Sequence, residues 1–385
     1  MTMRNRLITT VTAACALAAA LTACSAESGG TPARAASPTA CPREAAPTAP
    51  PHGGGGGTAK GGAVPVAKTV KPTDTRTSTV VEATGPQIRC GRTGLSSHQD
   101  IVYAAPVTRG RKTELKLDLQ VPEGAGAKPL VVYIPGGGFV LADRKANLAQ
   151  RTYVAEQGYA VASITYRTSA DGATYRDGVA DVKSAVRFLR AHADQYGFDA
   201  AKVAVWGQSA GGYLAAMAGT TNGDRRFDIG DHLDRSSEVQ AVVDEFGASD
   251  LARVADDFDA ATRKTYNAPG SFINAYVFGP GSRRTVVGDP AARAASDPAS
   301  HIDARTAPFI LLQGDDDRIV SPSQSLILAD ALKAAGTDAT RYVIKGAGHG
   351  DMAFLGDPDA GAPWSTRKVM DTITGFLDAR LGGAR

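Results

Sequence analysis

From about His98 to the C-terminus, short apolar runs alternate with longer amphipathic stretches. Ile101 to Ala104 and Thr113 to Val121 predict two strands joined across Arg109-Gly110-Arg111, with period-two alternation at Leu115, Leu117, Leu119 and Val121. Leu130 to Ile134 is almost wholly apolar, as expected of a parallel strand buried on both faces. A helix over Ala146 to Gln157 and a buried strand over Ala160 to Thr165 follow. Asp177 to His192 then predicts a helix, because Val179, Val182, Val186 and Leu189 fall on one face. Further strands are expected at Val203 to Trp206, Val239 to Val243, Phe309 to Leu312 and Arg341 to Ile344. Helices are expected at Ala210 to Ala218, Ser323 to Ala335 and Ser365 to Leu381. This alternation predicts an α/β fold, three-layered, with a mostly parallel central sheet and helices on both faces. Leu251 to Asp289 breaks the rhythm with Pro269-Gly270 and Gly279-Pro280-Gly281, and reads as a cap or long loop over 251–289 beside the site.

The N-terminal quarter is patterned differently. Arg4 and Arg6 precede an apolar run from Leu7 to Leu21, too short and too small in side chain for a membrane helix, and this reads as an export signal over residues 1–23. Leu21-Thr22-Ala23-Cys24 resembles the bacterial lipobox, so Cys24 is the expected lipidation site, anchoring the chain to the membrane surface outside the cytoplasm. Residues 24–97 are rich in Ala, Pro, Thr, Ser and Gly, with Gly53 through Gly57 consecutive, and are expected to be a flexible tether ahead of a catalytic domain over 98–385. Beyond the signal and Cys24, Cys41 and Cys90 are the remaining cysteines, and an exported protein can join them as a disulfide. Composition adds little: 43% of the 385 residues are hydrophobic and 21% charged, and the net charge is +3. Lys and Arg are scattered, which argues against a nucleic-acid partner.

The chemistry lies at the strand ends. Gly207-Gln208-Ser209-Ala210-Gly211 follows an expected strand and opens an expected helix. A nucleophile elbow requires this context, since glycines on either side let the backbone pass a sharply turned serine. Ser209 is therefore the candidate nucleophile, and its hydroxyl needs a base. Of six histidines, His52, His98, His192, His232 and His301 are accounted for by tether, edge, helix-end, loop and turn positions. His349, in Gly346-Ala347-Gly348-His349-Gly350, follows the last expected strand and lies downstream of the serine, flanked by small residues. An acid should lie between the two, but Asp315, Asp316 and Asp317 all follow the strand Phe309 to Leu312, and spacing does not choose among them. Backbone donors for an oxyanion are expected from Ala210 and from the loop Gly136-Gly137-Gly138, chiefly Gly136 and Gly137. No Gly-Lys-Ser/Thr follows that loop, which argues against phosphate binding.

Pro135-Gly136-Gly137-Gly138-Phe139, Gly207 to Gly212, Gly314-Asp315-Asp316-Asp317 and Gly348-His349-Gly350 together resemble the α/β-hydrolase esterases. The nearest likeness is to the hormone-sensitive-lipase-like carboxylesterases and the BD-FAE-like acetyl-xylan and feruloyl-type esterases. Tyr196 to Asp199, Val243 to Gly247 and Ser325 fit that group too, and the resemblance covers Ile101 to Leu381. It implies an α/β-hydrolase fold and a serine hydrolase of carboxylic esters, with Asp317 as the acid because it fills the last place of the family's G-x-x-D turn. It also implies short acyl groups, a small ester or acylated polysaccharide as substrate, and no metal or organic cofactor. A lipase, an aminopeptidase of the same fold and an impaired envelope-binding pseudo-hydrolase are the competing readings. The family usually has His where this chain has Pro135, a residue that offers no N–H and fixes its own φ.

Overall fold

A computed structural model describes residues 38–43, 64–350 and 361–383. Cys24 and the expected signal lie outside the described residues. The main sheet has nine strands among the described residues: β1 (Thr79–Glu82), β2 (Leu95–Ala104), β3 (Leu115–Pro122), β4 (Lys128–Ile134), β5 (Ala160–Ile164), β6 (Phe198–Gln208), β7 (Ala241–Glu245), β8 (Phe309–Gly314) and β9 (Ala339–Lys345). Their spatial order is β1-β9-β8-β7-β6-β4-β5-β3-β2. Neighbours from β1 through β5 pair in parallel, and β3 pairs antiparallel with β5 and β2.

Alternation along the strands divides the core in two. In β4, Leu130, Val132 and Ile134 join one buried cluster, while Val131 and Tyr133 join the other. Helices α2 (Tyr175–Ala191), α3 (Ala210–Thr220) and α7 (Ser323–Ala334) cover the first face. Helices α1 (Leu148–Glu156) and α8 (Arg367–Leu377) cover the second. Parallel strands covered on both faces lose all contact with water, which is why their sequences are continuous apolar runs. The helix starts are chemically marked: the Thr174 and Asp177 side chains form a capping box on α2.

The irregular stretch 251–289 folds into two short helices, α4 (Ala260–Asn267) and α5 (Phe272–Phe278), capped by the side chains of Asp259 and Ser271. Helix α6 (Pro290–Ser296) follows.

The expected tether over 24–97 is shorter than its composition suggests. Residues 64–97 are folded: β1 adds to the sheet edge beside β9, Val81 is buried, and β2 begins at Leu95, ahead of the expected boundary at His98. What holds this segment is mostly backbone hydrogen bonding and the buried Arg341 guanidinium, which donates to Thr73 Oγ1, Asp74 O and Ser78 Oγ at 2.8–2.9 Å. Such partners lie more than 260 positions away and leave little trace in local composition. Further towards the N-terminus, Thr39–Ala40 pairs with Arg89–Cys90, and Cys41 is disulfide-bonded to Cys90.

Candidate functional site

The serine sits where β6 stops and α3 starts, with φ 55° and ψ −119°. A non-glycine residue adopts such a backbone only under constraint from its surroundings. Two glycines make the turn feasible. A Cβ on Gly207 would stand 2.0 Å from the Gly211 carbonyl oxygen, and one on Gly211 would stand 2.0 Å from that of Ile134. The turn is closed from the side by β7, where the Ser209 N–H donates to the Glu245 carbonyl at 2.9 Å.

His349 is carried by the loop after β9. Its Nε2 lies 2.8 Å from Ser209 Oγ, and its Nδ1 lies 2.8 Å from Asp317 Oδ2. The ring is held by Phe246, whose centroid is 4.9 Å away edge-on, and Trp364 packs against Phe246 in turn. Phe246 itself has φ 43°, so the chain turns sharply after β7 to present that ring.

Three-dimensional placement separates the three carboxylates that the spacing left open. Asp317 is fully buried, and its Oδ1 accepts from the N–H groups of Ile319 and Val320 at 2.9 Å each. Its Oδ2 accepts from Gln313 Nε2 as well as facing His349. Asp316 pairs with Arg318 at the surface, and Asp315 accepts from the Gly346 N–H at 2.7 Å, bracing the histidine loop.

The glycine loop after β4 closes the other side. A Cβ on Gly136 would stand 3.1 Å from Ser209 Cβ, so its backbone lies against the serine. Gly137 adopts φ 144°, and its carbonyl accepts from Val140 and Leu141. Among the described residues no acceptor takes the N–H of Gly136 or Gly137. Pro135 ends the strand, and its carbonyl accepts from Tyr166 Oη at 2.9 Å. Below the loop, Phe139 stacks on Tyr276 of α5 at 4.5 Å and meets Tyr213 edge-on at 5.5 Å. The stretch 251–289 thus supports the glycine loop from beneath.

A buried polar network behind the elbow escaped the sequence reading. Glu245 Oε2 accepts from Trp206 Nε1 at 2.5 Å and from Gln208 Nε2 at 2.8 Å. Gln208 Oε1 accepts in turn from Tyr133 Oη at 2.9 Å and Asn147 Nδ2 at 2.5 Å. Burial pushes the Glu245 carboxyl up to about 7, against the lowering effect of Gln208 and Trp206. Burial does the same to Asp244, also to about 7. The one signal in the sequence was two adjacent acids ending an otherwise apolar strand.

Two surface cavities lie elsewhere, about 470 Å³ beside Lys128 and Asp194 and about 410 Å³ beside Asn222 and Arg305, and neither includes Ser209.

Comparison with known proteins places this geometry in a family. The sequence profile of the BD-FAE family matches residues 117–332, more than half of the chain. A truncated carbohydrate esterase from gut microbiota superposes with a TM-score of 0.61 at 26% identity, covering 74% of this chain and 96% of that one. Esterase 2 of the planctomycete Thermogutta terrifontis, solved with propionate bound, superposes with a TM-score of 0.56 at 25% identity, covering 76% of this chain and 96% of that one. The same esterase is also known with butyrate bound and phosphorylated by paraoxon. The probable carboxylic ester hydrolase LipM of Mycobacterium tuberculosis is 28% identical over 66% of this chain and 53% of its own length. The chain spans about half the length of the curated relatives it matches first. The matched profile, the mostly parallel sheet and the serine elbow at its centre agree: the chain belongs to the BD-FAE family and has the α/β-hydrolase fold.

Proposed function

We propose that the protein is a serine esterase that cleaves carboxylic esters, of short acyl groups in particular, through an acyl-serine intermediate. The observation that carries this reading is the continuous hydrogen-bond chain from Ser209 Oγ through His349 to the buried Asp317, standing at a strained strand-to-helix turn.

In the reaction, His349 Nε2 takes the Ser209 proton as Oγ attacks the ester carbonyl. Asp317 holds the imidazole in the tautomer that leaves Nε2 free to accept, and stabilises the charge that follows. The N–H groups of Gly136, Gly137 and Ala210 receive the oxyanion. His349 then protonates the departing alcohol, and water, activated by the same histidine, releases the acid from Ser209.

The short-acyl assignment draws support from the esterase 2 structures with propionate and butyrate. The carbohydrate esterase likeness supports an acylated polysaccharide as the alcohol side. Lipidation at Cys24 would keep the enzyme at the membrane surface outside the cytoplasm; Cys24→Ser should then abolish incorporation of labelled fatty acid into the protein.

Hydrolysis of p-nitrophenyl acetate, butyrate and octanoate by the full chain, with Ser209→Ala as control, tests the activity. Turnover abolished by the substitution and declining with chain length is expected. Turnover that survives Ser209→Ala would remove the serine from the mechanism.

A further inference from the structure

The segment from Val64 to Lys71, expected in the tether, lies on the loop after Asp317 and on the glycine loop. From Pro65 onward it is tied to the acid loop and to the 251–289 stretch. The Ala67 N–H donates at 2.9 Å to the carbonyl of Arg318, the residue after Asp317. Tyr266 Oη lies 2.9 Å from both the Pro65 and the Ile319 carbonyl oxygens. The Lys68 N–H donates to Asp259 Oδ2 at 3.2 Å, the Lys71 N–H donates to Asp257 O at 2.9 Å, and Val70 bridges Phe258.

At its other end the strap reaches the glycine loop. Val64 Cγ2 lies 2.7 Å from where a Cβ on Gly138 would stand, so the valine packs directly on that glycine. Val66, Val140 and Leu141 are 43%, 37% and 60% exposed, which places three of the nine exposed large apolar side chains among the described residues on the strap and just past the glycine loop.

Reaction geometry decides which part of an ester this wall meets. The departing oxygen must stand beside His349 Nε2 to receive its proton. With the carbonyl oxygen held by the glycine-loop and Ala210 N–H groups, the acyl chain leaves by the side that neither the histidine nor the oxyanion occupies, and Val64, packed on Gly138, is the strap side chain next to those donors. We propose that the strap is the wall of the acyl site and that Val64 is the side chain that sets acyl-chain length. The strap lies outside the residues matched to the family, 117–332, so chain-length preference here is set by a segment outside the shared fold. This inference rests on the reading of Ser209 as an esterase nucleophile.

The test uses the full chain with Val64→Ala, Val64→Trp and Tyr266→Phe, and reads kcat and KM separately for p-nitrophenyl esters from acetate to octanoate. Val64→Ala should raise the octanoate-to-acetate ratio of kcat/KM about tenfold, and Val64→Trp should lower it by a similar factor. Tyr266→Phe, which removes one of the strap's ties without touching Val64, should move the ratio in the direction of Val64→Ala. Ratios unchanged within about twofold, or all esters falling by one common factor, overturn the proposal. That failure is distinct from failure of the underlying reading, in which no hydrolysis depends on Ser209 at all and the strap proposal falls with it.

Discussion

Glu245→Gln isolates one buried carboxyl behind the serine elbow. Glu245 is fully buried, and burial raises it from 4.5 to about 7. The folded state therefore binds this proton more tightly than the unfolded chain. Its contribution to stability is fully present below pH 4.5 and is lost as pH rises through about 7. The shift corresponds to about 3 kcal/mol, of which about 2 to 3 kcal/mol is lost between pH 5 and pH 8. Asp244, raised to about 7, and Asp181, raised to about 6, add to the same decline in the wild type and are retained in the variant. Glutamine keeps the volume and can still accept from Trp206 but does not titrate, so the variant should lose about 2 to 3 kcal/mol less over that interval. Urea unfolding at pH 5 and pH 8, with the disulfide intact, measures the difference. Parallel pH dependence in the two proteins would show that Glu245 is ionised throughout, and the reasoning from burial would be wrong.

Other substitutions probe the remaining parts. Asp317→Asn keeps size but disturbs the histidine tautomer, and kcat on p-nitrophenyl acetate should fall about 10³-fold or more; a loss under about tenfold would give the acid role to another carboxylate. Gly207→Ala places a Cβ 2.0 Å from the Gly211 carbonyl, a backbone atom with little room to move, so thermal unfolding should shift downward together with loss of turnover. An unchanged melting temperature would mean that the elbow is looser than drawn. Replacing both Cys41 and Cys90 by Ser opens a loop of 49 residues and should cost about 2 to 4 kcal/mol in urea unfolding, while leaving kcat near the wild-type value.

Much of this site was legible because local rules govern it. The serine elbow could be read from Gly207 and Gly211 around Ser209, since a turn so tight tolerates no Cβ at either place. The buried strands announced themselves as apolar runs, because parallel strands covered on both faces have no polar side to show. His349 followed from its position after the last strand between small residues. Asp317 did not follow from spacing, and resemblance alone selected it. Its burial and its two backbone donors are set by how the loop after β8 folds under His349.

Composition misled most at residues 64–97. A stretch of Ala, Pro, Thr and Val cannot build a core of its own, yet Ala67, Val81, Ile88 and Cys90 enter the cores of the main fold, and a neighbouring strand and a buried arginine supply its polar partners. The same limit hid the Glu245 network, whose members come from β4, β6, β7 and the entry to α1.

Sequence alone therefore determined the order of strands from β2 to β9 and the places of Ser209 and His349 at strand ends, because periodicity and steric exclusion act between near neighbours. Only the tertiary structure decided which aspartate faces the histidine, what braces the elbow and which N-terminal segment lies on the acid and glycine loops. Those depend on hydrogen bonds and contacts between residues far apart in the chain, brought to one rim by the parallel sheet.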